Sequence, residues 1–97
     1  MERREQIKQW IKETLDKNLS GISYQAFIFG SQANKTVLIR SDIDVGIMAD
    51  SEITAYQVSK IMADFEELPM LYKIDLVNFN EVNLQFKSVA LKNIERL

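Results

Sequence analysis

Ile7, Trp10, Ile11 and Leu15 recur at the spacing of one helix face, and polar residues fill the positions between them. The spacing predicts an amphipathic helix from Glu2 to about Asn18, closed by Asn18, Ser20 and Gly21. Its charged opening reads as a solvated helix face with no further role. The pattern then changes. Gln25-Ala26-Phe27-Ile28-Phe29 is a short apolar run ending at Gly30, as expected of a buried strand. Ser31 to about Lys35 is expected to open a short helix. From Asp42 to Met48, Ile43, Val45 and Ile47 alternate with Asp42, Asp44 and Gly46, which predicts a second strand with both carboxylates on one face. Ser51 or Asp50 is positioned to cap a helix carrying Tyr56, Val58, Ile61, Met62 and Phe65. Leu68-Pro69 stops that helix. Met70 to Val77 reads as a third strand, and Asn78-Phe79-Asn80-Glu81 leads into a last helix expected to bury Val82, Phe86 and Val89, together with Leu84 and Leu91.

The order helix, strand, short helix, strand, helix, strand, helix implies an α/β or α+β domain built on a small mixed sheet. No repeat, low-complexity tract or linker interrupts it, so residues 1–97 are expected to form a single domain.

Composition narrows the chemistry. Apolar residues make up 46% and charged residues 27%, ordinary for a soluble globular protein. The formal charge of -2 lacks the basic excess of a dedicated nucleic-acid binder, so direct nucleic-acid binding is not expected. It leaves room for a substrate that brings its own charge to a metal. The absence of cysteine excludes disulfides, thiol nucleophiles and thiolate metal sites. The absence of histidine excludes a Ser-His-Asp triad and histidine-ligated zinc. The opening residues lack the apolar stretch of a signal peptide, and no apolar run reaches membrane-spanning length. A cytoplasmic protein with no membrane association is the expectation.

What remains is a set of small polar and acidic residues. A glycine at position 30, after a strand, lets backbone approach a phosphate closely, and Ser31 adds a hydroxyl and an amide. By itself, Gly30-Ser31 is better read as a plain strand-to-helix turn with Ser31 as a cap. Asp42 and Asp44 repel each other across one strand face unless a cation sits between them, and oxygen ligands of this kind suit magnesium bound together with substrate phosphates. A solitary Asp-x-Asp is more often just a solvated strand entry. Asp75 lies between Ile74 and Leu76, where a buried charge needs a partner, and Lys73 on the same face is one candidate. If the third strand lies beside the second, Asp75 joins Asp42 and Asp44, and converging carboxylates of this kind make a metal-assisted displacement site.

The stretch Phe27-Ile28-Phe29-Gly30-Ser31-Gln32-Ala33, followed by Ser41-Asp42-Ile43-Asp44-Val45-Gly46-Ile47, resembles the nucleotidyltransferase signature of the DNA polymerase β-like superfamily. More narrowly it is similar to the minimal nucleotidyltransferases (MNT) that partner HEPN proteins in toxin–antitoxin modules. The resemblance runs from the strand at Gln25 through Asp75. It implies a nucleotidyltransferase-like core, with a mixed, mostly antiparallel sheet flanked by helices. It assigns the triphosphate to Gly30 and Ser31, with Lys35 as the basic group. It assigns magnesium to Asp42 and Asp44, and gives Asp75 the completion of the metal site and activation of the attacking hydroxyl. The implied activity is magnesium-dependent transfer of AMP from ATP to an acceptor hydroxyl, a tyrosine of a cognate HEPN toxin, which the modification would silence. One departure stands out: Thr36 occupies a position where glycine is common, and Val37-Leu38-Ile39 make the Lys35–Arg40 loop apolar. That bears on nucleotide affinity more than on metal binding.

A different class of function fits the same residues: a binding module that neutralises or scaffolds a HEPN partner by contact, its site idle. A stand-alone antibiotic or RNA nucleotidyltransferase fits less well, since no length follows the last helix for an acceptor-binding domain and no basic surface is evident. So small a core is expected to borrow its acceptor site from a partner or symmetry mate, as a homo- or hetero-oligomer. Met48, Met70, Leu84 and Leu91 are candidates for an exposed apolar surface, although core packing is the ordinary role of each.

Overall fold

In the computed structural model, residues 3–30, 42–70 and 72–97 are described. The short helix expected over Ser31–Lys35 and the start of the first helix at Glu2 lie outside them. Strand β1 (Tyr24–Phe29) buries Ala26, Phe27, Ile28 and Phe29 in succession, because it is an inner strand covered on both faces. It pairs antiparallel with β2 (Ile43–Ala49), and β2 pairs in parallel with β3 (Ile74–Asn78). On its other side β1 pairs antiparallel with β4 (Ile94–Arg96), giving the order β3-β2-β1-β4 among the described residues. The sheet is thus mixed and mostly antiparallel, and the architecture is α+β.

Each face of the sheet has its own apolar cluster. One gathers Ile7, Ile11, Leu15 and Leu19 of α1 (Arg3–Asn18) and its end with Ile61 and Phe65 of α2 (Ala55–Glu66), against Ala26, Ile28, Val45 and Ile47. The other is aromatic: Phe27, Phe29 and Phe79 pack edge to face, with Met48, Val77, Val82, Ala90, Leu91 and Ile94 around them. Strand alternation delivers this division, since Ala26 and Ile28 face one way and Phe27 and Phe29 the other.

Several elements differ from the sequence expectation. The N-cap of α2 is Thr54, not Ser51 or Asp50: its hydroxyl accepts from Gln57 N at 3.1 Å while Gln57 Oε1 accepts from Thr54 N at 2.8 Å. This reciprocal capping box satisfies two otherwise unpaired donors, which a lone Ser or Asp upstream does not. Tyr56, on the expected apolar stripe, is 75% exposed. β3 begins at Ile74 rather than Met70, although Met70 and Tyr72 still pack on the first cluster.

The largest difference concerns α3 (Leu84–Ala90), which has no buried residue. Leu84 is 82% exposed and Val89 64%, while Val82 and Leu91 at its flanks are partly buried. The phenylalanine rings already fill much of that face among themselves, so α3 and its C-cap meet the cluster through Ala90, Leu91 and the Phe86 ring. Of the candidate exposed apolar residues, Leu84 alone is exposed; Met48, Met70 and Leu91 are partly buried.

β4 was absent from the sequence expectation. It is short, and an ion-pair cluster pins it: Glu95 accepts from buried Arg4, and from Lys8 Nζ at 2.9 Å. Burial pushes the Glu95 carboxyl up, but Arg4 and Lys8 outweigh it and hold the group at about 2. No helix among the described residues is long and apolar enough to cross a membrane.

Candidate active site

β1 ends where β2 and β3 begin, so the C-terminal end of one strand and the N-terminal ends of two others meet at one rim of the sheet. Gly30 sits just past β1 with φ of 76°. That is left-handed backbone, natural to glycine and strained for other residues. Asp44 pairs with Phe29, the residue before it. A Cβ on Gly30 would approach Asp44 Oδ2 to 3.0 Å. On the far side of β2, Asp75 stands opposite Asp44 in the parallel register. Asp42 lies immediately before β2 and is exposed. The rim therefore carries Gly30, Asp44 and Asp75 in lateral order, with Asp42 at its edge.

The carboxylates sense one another. Burial raises the Asp44 pKa above the ordinary aspartate value, and the negative charges of Asp75 and then Asp42 raise it further. Hard oxygen donors with excess negative charge are the donor set that magnesium prefers, and a cation there would relieve the repulsion. Among the described residues, however, the acidic side chains are not drawn together into a ready-made metal cage.

Lys73 Nζ lies 3.8 Å from Asp75 Oδ1, so the pair anticipated from sequence forms. Its character differs from the expectation. The Lys73 side chain is 70% exposed and that of Asp75 35%, which makes this a surface pair rather than the neutralisation of a deeply buried charge. Asp75 is half-buried on β3, the outermost strand on that side among the described residues. Ser31 and Lys35 lie outside the described residues.

Gly46, two residues beyond Asp44 on the same face, supports the rim from beneath. A Cβ there would come within 2.5 Å of Phe27 and 2.6 Å of Phe79, so these rings lie directly on its backbone. Sequence reasoning missed a second feature. Phe29, Gly30, Phe86, Val89, Ala90 and the polar Asn93 line a cavity of about 350 Å³ beside the rim. Phe86 and Val89, three apart on α3, carried the signal, which helical spacing alone could not distinguish from core packing.

Residues 9–97 match the family described as Polymerase beta, Nucleotidyltransferase, and the chain belongs to that family. No curated protein matches the sequence significantly. Among solved structures, a chain from the complex of a tri-AMPylated Shewanella oneidensis HEPN toxin with its MNT antitoxin is similar in fold, with a TM-score of 0.73 at 15% identity. The match covers 96% of this chain and 70% of that one. A further Shewanella oneidensis structure matches with a TM-score of 0.74 at 14% identity over 98% of this chain and 71% of that chain. A toxin–antitoxin structure with AMP-PNP matches with a TM-score of 0.74 at 17% identity, covering 92% and 70%.

Proposed function

We propose that this nucleotidyltransferase moves AMP from magnesium-bound ATP to a hydroxyl on a HEPN-type toxin partner, most simply a tyrosine, and thereby acts as an antitoxin. The observation that carries the reading is the lateral row of Gly30, Asp44 and Asp75 at one rim of the sheet, with Asp42 beside it. The donor and acceptor rest on the structural neighbours: one contains an AMPylated HEPN toxin with an MNT antitoxin, another is a toxin–antitoxin with AMP-PNP.

In this reading the backbone at Gly30, with Ser31 and Lys35, holds the triphosphate. Asp42, Asp44 and Asp75 would hold magnesium. When bound, magnesium neutralises the triphosphate and polarises its phosphoryl oxygens. The acceptor oxygen forms a bond to the α-phosphorus while the bond from that phosphorus to the bridging oxygen of the β-phosphate breaks. Pyrophosphate leaves with the bonding electrons, and the hydroxyl proton passes to an Asp75 carboxylate oxygen or through it to water. The Asp75 carboxylate orients the incoming hydroxyl, and Gly30 leaves the space that Asp44 needs.

The test is to incubate the protein with its HEPN partner and magnesium-ATP and weigh the partner by mass spectrometry. Added AMP with the wild-type chain, absent with Asp44→Asn, is the expected result. A second reading draws on the exposed Leu84 and Val89 of α3, which suit a contact surface. A partner silenced with no mass change would establish that contact-only module instead.

A further inference from the structure

We infer that the cavity between β1 and α3 receives the nucleobase of the triphosphate, with the Phe86 ring as its stacking wall. This rests on the nucleotidyl-transfer reading and adds to it the place and chemistry of base recognition. Gly30 belongs both to the rim that carries the carboxylates and to the cavity wall, so the cavity adjoins the rim. At about 350 Å³ the cavity falls in the ordinary range for small-molecule sites, roughly 300–1,000 Å³. Its walls are mostly apolar, which suits the flat face of a base and not phosphates.

Position decides which end of which substrate enters. The strand order β3-β2-β1-β4 sets Asp75 first, then Asp44, then Gly30, and the cavity lies against Phe29 and Gly30 of β1. The incoming hydroxyl is assigned to Asp75. The cavity is across Gly30 from it, on the side of the nucleotide donor, so its occupant is carried by the donor and not by the acceptor. Phe86 is also held ready. Its ring centroid lies 6.2 Å from that of Phe29 at 87°, and 5.7 Å from that of Phe79 at 49°, yet the residue remains 42% exposed. A ring already held by two aromatic neighbours and still partly exposed loses little freedom when a base covers its exposed part. Val89, 64% exposed on the same cavity wall, would be covered by the same event.

The experiment compares calorimetric binding of magnesium-ATP and magnesium-tripolyphosphate to the full chain. The wild type is expected to bind ATP more tightly than tripolyphosphate. Phe86→Ala should weaken ATP by about tenfold, the scale of one lost base–aromatic stack, and leave tripolyphosphate within about twofold. Phe86→Trp, which keeps a stacking face, should restore ATP binding. Because Phe86 touches Phe29 and Phe79, a second variant at an exposed position is included: Val89→Trp fills the cavity and should weaken ATP selectively, with an unchanged melting temperature. Unchanged ATP affinity in both Phe86→Ala and Val89→Trp overturns the base site. Unchanged ATP affinity with lost transfer overturns it too, and gives the cavity to the acceptor. If the wild type binds neither ligand in magnesium, the nucleotidyl-transfer reading itself fails, and the base site falls with it.

Discussion

Gly30 and Asp44 occupy a shared space: a Cβ on residue 30 would lie 3.0 Å from Asp44 Oδ2, and residue 30 adopts φ of 76°. Two separate constraints, backbone conformation and the room left for a carboxylate, thus meet in one glycine. The strand that supplies it pairs with the strand that supplies the acid, so the β1–β2 register sets the relationship.

Gly30→Ala is expected to lose nucleotidyl transfer with only modest loss of stability. The left-handed conformation costs an L-residue about 1–2 kcal/mol, and the methyl displaces the Asp44 carboxylate. Melting temperature together with incorporation of labelled AMP measures both effects. Full transfer by this variant would show that Asp44 need not stay where Gly30 permits it.

Asp42→Asn and Asp44→Asn should each abolish transfer while the fold persists. At Asp44 the substitution removes a carboxylate that burial, Asp75 and Asp42 all oppose, so metal-free stability should hold or rise. ATP binding by the Asp44 variant should also lose its response to magnesium. A variant that melts well below the wild type would make the aspartate structural.

Much of this rim was legible because it depends on local pattern. The alternation of Ile43, Val45 and Ile47 with Asp42, Asp44 and Gly46 specifies which side chains share a face, and the pairing of β2 with β3 then sets Asp75 opposite Asp44. What escaped depends on long-range packing. β4 spans only Ile94–Arg96 and is fixed by Arg4 and Lys8 from the far end of the sequence, which no local window contains. The spacing of Phe86 and Val89 is that of a core-facing helix, and only the self-packing of Phe27, Phe29 and Phe79 reveals why they stay at the surface.

Gly46→Ala should destabilise the chain by about 1–3 kcal/mol, the usual scale of overpacking. The added methyl meets Phe27 at 2.5 Å and Phe79 at 2.6 Å, and neither ring can retreat freely within the aromatic cluster. Urea denaturation gives the change, and an unaltered midpoint would mean that the rings shift without cost. Phe27→Leu in the same background should recover part of the loss.

Acid should weaken the junction between α1 and β4. The Glu95 carboxyl is held at about 2, below its ordinary 4.5, so its contribution is complete above pH 4.5 and is lost as the pH falls toward 2. Asp64, hydrogen-bonded by Asn18 and Lys60, is likewise held at about 2, below its ordinary 3.8, and its contribution fades over the pH range between those values. Glu95→Gln removes the negative charge that faces Arg4 and Lys8 and should lower stability at neutral pH. The variant should also show a flatter dependence of stability on pH between 4.5 and 2. Denaturation curves across that range test both statements, and a slope equal to that of the wild type would remove Glu95 from the acid response.

Asp75 separates a role in chemistry from a role in structure. Asp75 faces Asp44 across β2–β3, but it also lies 3.8 Å from Lys73, and a purely structural ion pair would explain its place in an apolar strand. Exposure distinguishes the two. With the Lys73 side chain 70% exposed and that of Asp75 35%, the pair is worth about 0–1 kcal/mol, so Lys73→Ala should leave the melting temperature nearly unchanged. A marked destabilisation by Lys73→Ala would return Asp75 to a structural role. Under the proposed chemistry Asp75 meets the incoming hydroxyl and lies farther from the triphosphate than Gly30 does. Asp75→Asn should therefore keep measurable magnesium-ATP binding yet fail to add AMP to the partner. Calorimetry with the variant and mass spectrometry of a co-purified HEPN partner read these separately. Equal modification of the partner by wild type and Asp75→Asn would remove Asp75 from the mechanism. Loss of ATP binding together with transfer would instead move it from the acceptor side to the nucleotide side of the site.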